Sequence, residues 1–515
     1  MGTPNRKNIQ GDIWPGLPKR CETLLFFSIA DGNKQRQKFK EHLQGLIPHI
    51  TTAHDVLKTK TRILEEKATA ASVNEVPRLV PFCGVNIAFS ATGLAALGKH
   101  VFDIYSAKKD PARWREVKKY QIRGDLFDKG MFEDLTREGW DNPEELRPEY
   151  KPDPVTGHRQ IDGVVLIAAC SEGKLERAVG FVKEKLHMLD VEEEVDENTV
   201  CRQVSMRKGN CRPGPLKGKE HFGYRHGLSQ PQMRGLDPEP LGSKEPKAIP
   251  PGLIFLKRDG DPLNQPAWAK DGSFLVFRDL QQFVPEFERF LEENADQVES
   301  TGPHPPSEKL AALLMGRWRN GTPLDLNPYH DNDTSLHTAN DFDFNPIESQ
   351  ERCPFAAHIR KTRPRAELAD DTSVIIRRGI PYGPEVSDTE RKSRRSEKDR
   401  GLLFLCYQSD IRNGFNFITT RWASNHHFPN HKQEAVGPEG PGVDAFAAQR
   451  LSHHPPRSIS LPDSKHPSAV RLDLDSWVVH RGGEYFFTPS VEGLWELCSL
   501  SHQHLNARRS GELRL

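Results

Sequence analysis

Short apolar runs alternate with amphipathic segments in the first half of the chain. The run TLLFFSIA at 23–30 has the length of a buried strand, and apolar residues then recur at helical spacing from Phe39 onward. VNIAFSATGLAALG at 85–98 predicts a short strand that enters a helix near Ser90. IDGVVLIAAC at 161–170 predicts a third strand, again followed by an amphipathic helix. Strands and helices are therefore expected to alternate.

The second half of the chain repeats this pattern. SFLVFRDLQQ at 273–282 alternates as a strand does, and a helix follows it with Pro285 near its first turn. Further strand–helix pairs are predicted at 401–410 and 482–498. Two such sets of similar size predict an α+β fold of two units, each an antiparallel sheet with helices on one face. The loop-like sequence DPEPLGSKEPKAIPPG predicts a boundary near 240–250.

Two stretches have the composition of disordered surface insertions. VSDTERKSRRSEKDR at 386–400 mixes charges without an apolar period. The stretch at 425–467 is rich in Pro, Gly, Ser and His. Its histidine pairs could bind a metal, but no set of ligands has the spacing that a rigid metal site needs, so a solvated loop is favoured.

The overall composition excludes several classes of protein. Lys plus Arg and Asp plus Glu are equal at 72 each, so no net field recruits nucleic acid or an acidic membrane. No run approaches the ~18 apolar residues of a membrane helix. The eight cysteines form no C-x-x-C pair, which favours a reducing compartment, and no secretory signal is evident. A cytoplasmic protein without membrane insertion is expected, and the sequence specifies no oligomeric state.

Two basic segments are candidates for chemistry. In CPFAAHIRKTRPR, His358 lies in a small-residue apolar setting and is followed at once by four cationic residues, Arg360 among them. A neutral imidazole beside guanidinium groups suits a planar, anionic, iron-bearing ligand, although a core histidine beside a basic loop is the alternative. In IIRRGIPYGPE, Arg377 and Arg378 end an apolar strand, where an arginine can stabilise developing negative charge or simply face solvent.

These segments, taken in order, resemble the long fungal dye-decolorizing peroxidases. The resemblance rests on NIQGDIWPGLPKRCETLLFFSI, FGYRHGLSQPQMRG, SFLVFRDLQQFVPEF, LMGRWRNGTPL, CPFAAHIRKTRPR, RRGIPYGPE and RGGEYFFTPS, and it covers nearly the whole chain. It implies two ferredoxin-like α+β domains, at 1–245 and 246–515, with one haem b per chain between the sheet and helices of the C-terminal domain. It also implies an enzyme that reduces hydrogen peroxide and oxidises dye-like or phenolic substrates. Extracellular relatives leave secretion open.

The resemblance assigns roles to individual residues. His358 in the AAHIRK motif is similar to the proximal iron ligand, and Arg377 to the distal arginine. Arg360 is similar to the residue that pairs with a haem propionate. Leu402 and Phe404 match positions that line the distal pocket and the peroxide channel.

Three further positions are implied less directly. Glu484 in GGEYFF matches an acidic partner of the proximal imidazole, which would raise the basicity of that ligand. Tyr382 and Trp422 match positions where the family places an oxidisable surface aromatic. Both could equally be packed in the interior.

One position departs from the family pattern. In GYRHGLSQPQ, His226 occupies the place of the aspartate of the family motif Gly-x-x-Asp-Gly. That aspartate takes a proton from hydrogen peroxide and returns it to the leaving oxygen. Histidine has an unperturbed pKa of ~6.5 against ~3.9 for aspartate, and it can carry out the same transfer.

Three interpretations of His226 stay open at this point. It can be a working acid/base group, so that activity falls at acid pH. It can reach the iron and form a bis-histidine haem suited to electron transfer or sensing. It can also mark a haem-binding protein with impaired or no peroxidase activity.

Overall fold

The computed structural model of the protein describes residues 2–99, 126–137, 139–194, 196–262, 265–299, 302–368, 372–449, 456–462 and 470–498. The strands in this part of the chain are β1 (Cys21–Ile29), β2 (Cys83–Phe89), β3 (Gly163–Ala169), β4 (Met188–Leu189), β5 (Cys201–Asn210), β6 (Ser273–Gln282), β7 (Ile376–Arg377), β8 (Ile380–Tyr382), β9 (Gly401–Gln408), β10 (Ser458–Leu461), β11 (Val470–Asp473) and β12 (Val478–Thr488).

The α-helices in the described residues are α1 (Asn33–Leu46), α2 (Ala53–Ser72), α3 (Ala91–Ala96), α4 (Leu126–Lys129), α5 (Met131–Arg137), α6 (Glu172–Leu186), α7 (Val284–Glu293), α8 (Pro306–Met315), α9 (His358–Thr362), α10 (Asp388–Ser393), α11 (Gln433–Val436) and α12 (Val491–Leu497). Two π-helical segments, Arg412–Asn416 and Ile418–Ala423, follow β9. No described helix has the length and apolar character needed to cross a membrane.

The main sheet contains strands from both halves of the chain. Its order is β4-β5-β1-β3-β2-β12-β6-β9-β7, and β8 also pairs with β9. All pairs are antiparallel except β4 with β5. The fold is therefore α+β, as predicted. The strands of the two halves are joined where β2 pairs with β12, with Phe89 opposite Phe487.

The sheet curls so that its far strands approach each other. A Cβ atom at Gly209 in β5 would lie 2.4 Å from Cγ2 of Ile380 in β8, so the two strands are in direct contact. The strands in the described residues nevertheless form no closed barrel. The division into units at 1–245 and 246–515 stays a prediction.

Helices pack against this sheet through two apolar cores. Leu43 of α1, Val182 of α6 and Leu494 of α12 belong to one apolar core with the inward residues of the adjoining strands. A second core packs α7, α8 and the residues before α9 against Trp477 and Val478 at the start of β12. The first core includes strand residues from both halves of the chain, and the second lies at the edge of the cavity described below.

The prediction of disorder at 386–400 is wrong. Ser387 and Glu390 form a capping box at the start of α10. Arg400 Nη2 lies 2.7 Å from Glu390 Oε2, and both side chains are fully buried. The charges that suggested a solvated segment therefore satisfy each other inside the protein.

The prediction of disorder at 425–467 is wrong for the part that the structure describes. This part contains α11 and β10, and β10 pairs with β11. Residues 450–455 and 463–469 lie outside the described residues, so the prediction there is not addressed.

Candidate functional site

A cavity of about 340 Å³ lies between the sheet and α9. Five of the seven predicted site residues line it: His226, His358, Arg377, Leu402 and Phe404. The other two, Arg360 and Glu484, do not. The cavity lies between the sheet and helices of the second half of the chain, where the prosthetic group was expected.

His358 is the first residue of α9, and its ring is held by a buried carboxylate. Its Nδ1 lies 2.8 Å from Oδ2 of Asp444, a residue with no exposed surface. The ring also meets Phe446 edge to face, with centroids 5.9 Å apart. Because Nδ1–H donates to the carboxylate, Nε2 keeps its lone pair and is the nitrogen available to a metal.

Asp444 is itself fixed in the ionised state. Its Oδ1 accepts hydrogen bonds from the backbone N–H groups of Phe446, at 2.8 Å, and Ala447, at 3.0 Å. Burial alone would raise the pKa of Asp444, but the contact with His358 and these N–H groups hold it below its ordinary value. The imidazole therefore has a charged acceptor at neutral pH.

The predicted acidic partner of this imidazole was Glu484, but the carboxylate bonded to His358 is that of Asp444. Glu484 pairs across the sheet with Phe277, whereas the neighbouring Arg278 lines the cavity. Because side chains alternate along a strand, Glu484 lies on the other face of the sheet. Its Oε1 accepts from the backbone N–H groups of Met131, at 3.0 Å, and Tyr485, at 2.7 Å.

On the opposite wall, the loop that carries His226 is clamped to the strand that carries Arg377. The side-chain amide of Gln230 both accepts from the backbone N–H of Arg377 and donates to its carbonyl, each at 3.0 Å. Gly223 and Gly227, with φ of 93° and 80°, provide the left-handed turns on either side of His226 that other residues rarely adopt. The guanidinium Nη2 of Arg377 donates to the carbonyl of Leu228.

His226 is neutral in this environment at neutral pH. Burial lowers the pKa of His226 below its ordinary value, and the positive charges of Arg377 and Lys19 lower it further. A neutral imidazole has one nitrogen that can accept a proton. The arrangement can therefore take up a proton beside a fixed guanidinium.

Leu402 and Phe404 form an apolar wall between these polar groups and the rest of the sheet. Both are in β9, where Leu402 pairs with Leu280 and Phe404 pairs with Arg278 of β6. All four residues line the cavity.

A group of arginines lines another part of the cavity: Arg317, Arg363 and Arg365. The Arg365 guanidinium lies 3.7 Å from the centroid of the Phe342 ring. Burial lowers the pKa of Arg365 to about 9, and the charges of Arg317 and Arg363 contribute. Burial, with the charge of Arg377, lowers the pKa of Arg317 to about 10. Cations that repel one another in a buried site favour an anionic ligand there.

Arg360 does not belong to this group of arginines. It is buried, and its Nε lies 2.5 Å from Oε1 of Glu367. Its remaining N–H groups donate to the carbonyls of Cys353, Ser349 and Ile347 at 2.7–3.1 Å. The structure thus uses Arg360 to hold the loop before α9, and the predicted pairing with a propionate is not supported.

Tyr382 and Trp422 are buried, with 5% and 4% of their surface exposed. The Tyr382 hydroxyl donates to Asp399 at 3.2 Å, and Arg207 lies 4.7 Å from the centroid of its ring. Trp422 stacks on Phe428 with centroids 5.3 Å apart. These contacts favour the packing interpretation of both residues over a role in oxidising substrates at the surface.

Asp444 was missed from the sequence because it lies in the Gly-, Pro- and His-rich stretch predicted to be disordered. The local signal is VDAFAA at 443–448, in which a single carboxylate interrupts an apolar run. An ionisable residue in such a setting is rarely buried without a partner.

The chain matches two family models. Residues 8–213 match the DyP dimeric alpha+beta barrel domain, and residues 261–436 match the Dyp-type peroxidase C-terminal domain. Dye-decolorizing peroxidase msp1 of Mycetinis scorodonius is 32% identical over 96% of this chain and 88% of its own length. The dye-decolorizing peroxidase of Mycena epipterygia is 34% identical over 95% of this chain and 86% of its own length.

Solved structures of similar sequence share the fold. An ancestral D-type dye-decolorizing peroxidase superposes with a TM-score of 0.79 at 39% identity, covering 96% of this chain and all of its own. A dye-decolorizing peroxidase in complex with 2,6-dimethoxyphenol superposes with a TM-score of 0.77 at 33% identity, covering 97% of this chain and all of its own.

Proposed function

The chain belongs to the dye-decolorizing peroxidase family, and from this premise we propose how the residues of its cavity serve the reaction. It is a haem-dependent peroxidase that oxidises organic substrates. We assign His358 to the iron, His226 and Arg377 to the reaction with hydrogen peroxide, and the buried arginines to the carboxylates of the haem.

We propose that the cavity holds one haem b per chain, because its donor set fits a haem. His358 offers Nε2 from one wall, and Asp444 behind it raises the basicity of the imidazole. Arg317, Arg363 and Arg365 would hold the two carboxylates, in place of Arg360. When bound, the haem supplies the iron centre that accepts oxidising equivalents from peroxide and passes them to the organic substrate.

His226 and Arg377 divide the work on hydrogen peroxide. The neutral imidazole of His226 takes a proton from one oxygen of hydrogen peroxide. It returns this proton to the other oxygen, which leaves when the O–O bond breaks. The guanidinium of Arg377 stabilises the negative charge that develops on that oxygen as the O–O bond breaks. The single observation that supports this division is that Gln230 clamps the two segments together beside one cavity that also contains His358.

The aromatic reducing substrates of this chain are proposed by analogy. The solved relative with 2,6-dimethoxyphenol binds a phenol, and we propose that small phenols and dyes are oxidised here too. The apolar residues Leu402, Phe404 and Phe415 of the cavity wall favour aromatic rather than highly charged molecules.

The test of the role of His226 is the pH dependence of the peroxide reaction. A base must be unprotonated, so activity should be complete above the pKa of His226 and should fall as the pH drops through it. Because that pKa is lowered from its ordinary value, the fall should occur below pH ~6.5. Stopped-flow absorbance after mixing haem-loaded protein with hydrogen peroxide measures the rate constant at each pH.

The matched variant for this test is His226→Asp. A carboxylate has an unperturbed pKa of ~3.9, so the variant should keep its rate constant to lower pH than the unsubstituted protein. Superimposable pH profiles would remove His226 from the proton transfer. A ferric absorbance spectrum of the six-coordinate bis-histidine type, lost in the variant, would instead make His226 an iron ligand.

A second prediction concerns the carboxylate behind His358. Asp444→Asn replaces a charged acceptor by a neutral one, which should lower the basicity of the imidazole and weaken haem binding or activity by ~10–100-fold. The reduction potential of the iron should rise, because the ferric state loses negative charge nearby. Haem titration and spectroelectrochemistry measure the two effects.

The control for this variant is Asp473→Asn, at an exposed position of β11. It makes the same chemical change away from the cavity and should leave both measurements unchanged. An unchanged potential in Asp444→Asn would contradict the proposed role of Asp444.

A further inference from the structure

A second arginine–histidine pair lines the cavity, on the other side of the Leu402–Phe404 wall from Arg377. Arg278 of β6 pairs across the sheet with Phe404, and His480 of β12 pairs with Leu280. Both line the cavity, although only 1% of Arg278 and 8% of His480 is exposed. Buried polar side chains on an otherwise apolar wall need hydrogen-bond partners. The partners that Arg278 and His480 already have determine which of their atoms are left for a ligand.

Asp141 holds the pair in place. Arg278 donates to it through two nitrogens, Nη1 to Oδ2 at 2.7 Å and Nη2 to Oδ1 at 2.9 Å. Nδ1 of His480 lies 3.0 Å from Oδ1 of the same carboxylate, and it also contacts Nη2 of Arg278. The three side chains therefore form a rigid group whose orientation does not depend on a ligand.

The group is electrically neutral. Burial opposes ionisation of Asp141, but Arg278 and His480 hold its pKa below its ordinary range. Burial lowers the pKa of His480 to about 4, with the charge of Arg278 adding to the effect against the opposing influence of Asp141. The carboxylate thus cancels the guanidinium, and the imidazole carries no charge at neutral pH. This distinguishes the group from the arginines Arg317 and Arg365, which favour an anion.

One ring nitrogen of His480 has no partner among the described residues. Nε of Arg278 is also unpaired, but it is fully enclosed, so a molecule in the cavity does not touch it. Nδ1 of His480 is taken by Asp141 and Arg278, so Nε2 is the ring nitrogen that a ligand can reach. A hydroxyl group accepts and donates, so it can pair with His480 Nε2 in either tautomer.

From this geometry we propose that His480, held in place by Asp141 and Arg278, forms a subsite of the cavity for a neutral hydroxyl group. The neutrality of the group disfavours carboxylates and other anions there, since no net charge compensates their desolvation. Two molecules of the peroxidase reaction carry such a hydroxyl: hydrogen peroxide itself, and a phenolic reducing substrate. Only the identity of these two molecules rests on the proposed function; the subsite itself rests on the contacts of His480.

The test compares His480→Leu with His480→Gln in the haem-loaded protein. Leucine keeps the approximate volume and removes hydrogen bonding, whereas glutamine can still donate and accept. Asp141 keeps both bonds from Arg278 in either variant, so the fold should be retained, and thermal unfolding checks this. Isothermal titration without peroxide then measures the affinity for phenol and for anisole, which has an ether oxygen in place of the hydroxyl.

A phenolic source predicts that His480→Leu weakens phenol binding by roughly 2- to 10-fold, the net worth of one hydrogen bond. Anisole binding should be unchanged, and His480→Gln should recover part of the phenol affinity. A peroxide source predicts instead that His480→Leu lowers the rate constant of the absorbance change on mixing with hydrogen peroxide, with phenol binding unaltered.

Either pattern supports the subsite and identifies its occupant. Equal losses for phenol and anisole, with the peroxide rate constant retained, would mean that His480 only packs and would overturn the proposal. No phenol binding in the unsubstituted protein, together with an unchanged peroxide rate constant in His480→Leu, would overturn it too. Because the titration contains no peroxide, its result does not depend on whether His226 transfers a proton.

Discussion

Replacing His226 by alanine is expected to slow the reaction with hydrogen peroxide by about 10²–10⁴-fold, the contribution of a positioned acid/base group. The loss should be this large because, among the described residues, no carboxylate lines the cavity near Arg377 and could replace His226 as the base. Glu220 also lines the cavity, but it is bonded to Gln282 and to backbone N–H groups. Stopped-flow rate constants at pH 7, with haem content matched by absorbance, measure the effect.

His226→Gln is the control for this prediction. Glutamine keeps a polar side chain of similar length but cannot change its protonation state, so it should be nearly as slow as alanine. A glutamine variant as fast as the unsubstituted protein would show that His226 positions a ligand by hydrogen bonding and transfers no proton.

Arg377→Leu extends the comparison. If both residues act on the same bond-breaking step, the double variant should lose less than the product of the two single effects. Strict multiplication of the two losses would place the residues in independent steps and would contradict the joint role that the Gln230 clamp suggests.

The strands were predictable where an apolar run is bounded by turn residues. β1, β3, β6 and β9 lie within two residues of their predicted limits. β1, β3 and β9 have the nearly continuous apolar sequence that a strand buried on both faces needs, whereas β6 was predicted from its alternation. β5 was not predicted. Its sequence, CRQVSMRKGN, carries several polar residues that its pairing with β1 and its contact with β8 accommodate.

The disorder predictions failed because composition does not show which charges will pair. The segment at 386–400 is as polar as a solvated loop, yet Glu390 and Arg400 meet in the interior, where neither side chain is exposed. The same limitation hid Asp444. Its partner His358 is 86 residues away in the sequence, and a contact at that separation leaves no local pattern.

The site residues that the sequence could provide are those within continuous motifs. His226, His358 and Arg377 each lie in a motif, and the fold brings all three to one cavity. Arg360 and Glu484 also lie in motifs. However, the motif does not show which of several neighbouring side chains points into the cavity, because that depends on the orientation of the helix or strand. Arg363 and Arg365 face the cavity where Arg360 does not, and alternation along β12 turns Glu484 away from it.

Replacing His358 by glycine is expected to have the largest effect on haem binding, since it removes the only cavity histidine, among the described residues, that bonds to a buried carboxylate free of an arginine partner. Asp141, the other buried carboxylate beside a cavity histidine, is already paired with Arg278. The loss of haem affinity should exceed the ~10–100-fold expected for removing its carboxylate partner Asp444. Haem titration followed by absorbance measures the affinity, and peroxidase turnover should fall with it.

Rescue by free imidazole separates ligation from folding in this variant. Imidazole can enter the space that glycine leaves and meet Asp444, so it should restore the ferric absorbance spectrum and part of the activity. The exposed His158 provides the control: His158→Gly should bind haem normally and should not respond to imidazole. Unchanged haem affinity in His358→Gly would move the iron ligand to His226 or His480, the other histidines of the cavity. In that case His358 would bind no metal in the unsubstituted protein. The buried carboxylate of Asp444, which holds the His358 ring, would then have no function beyond packing.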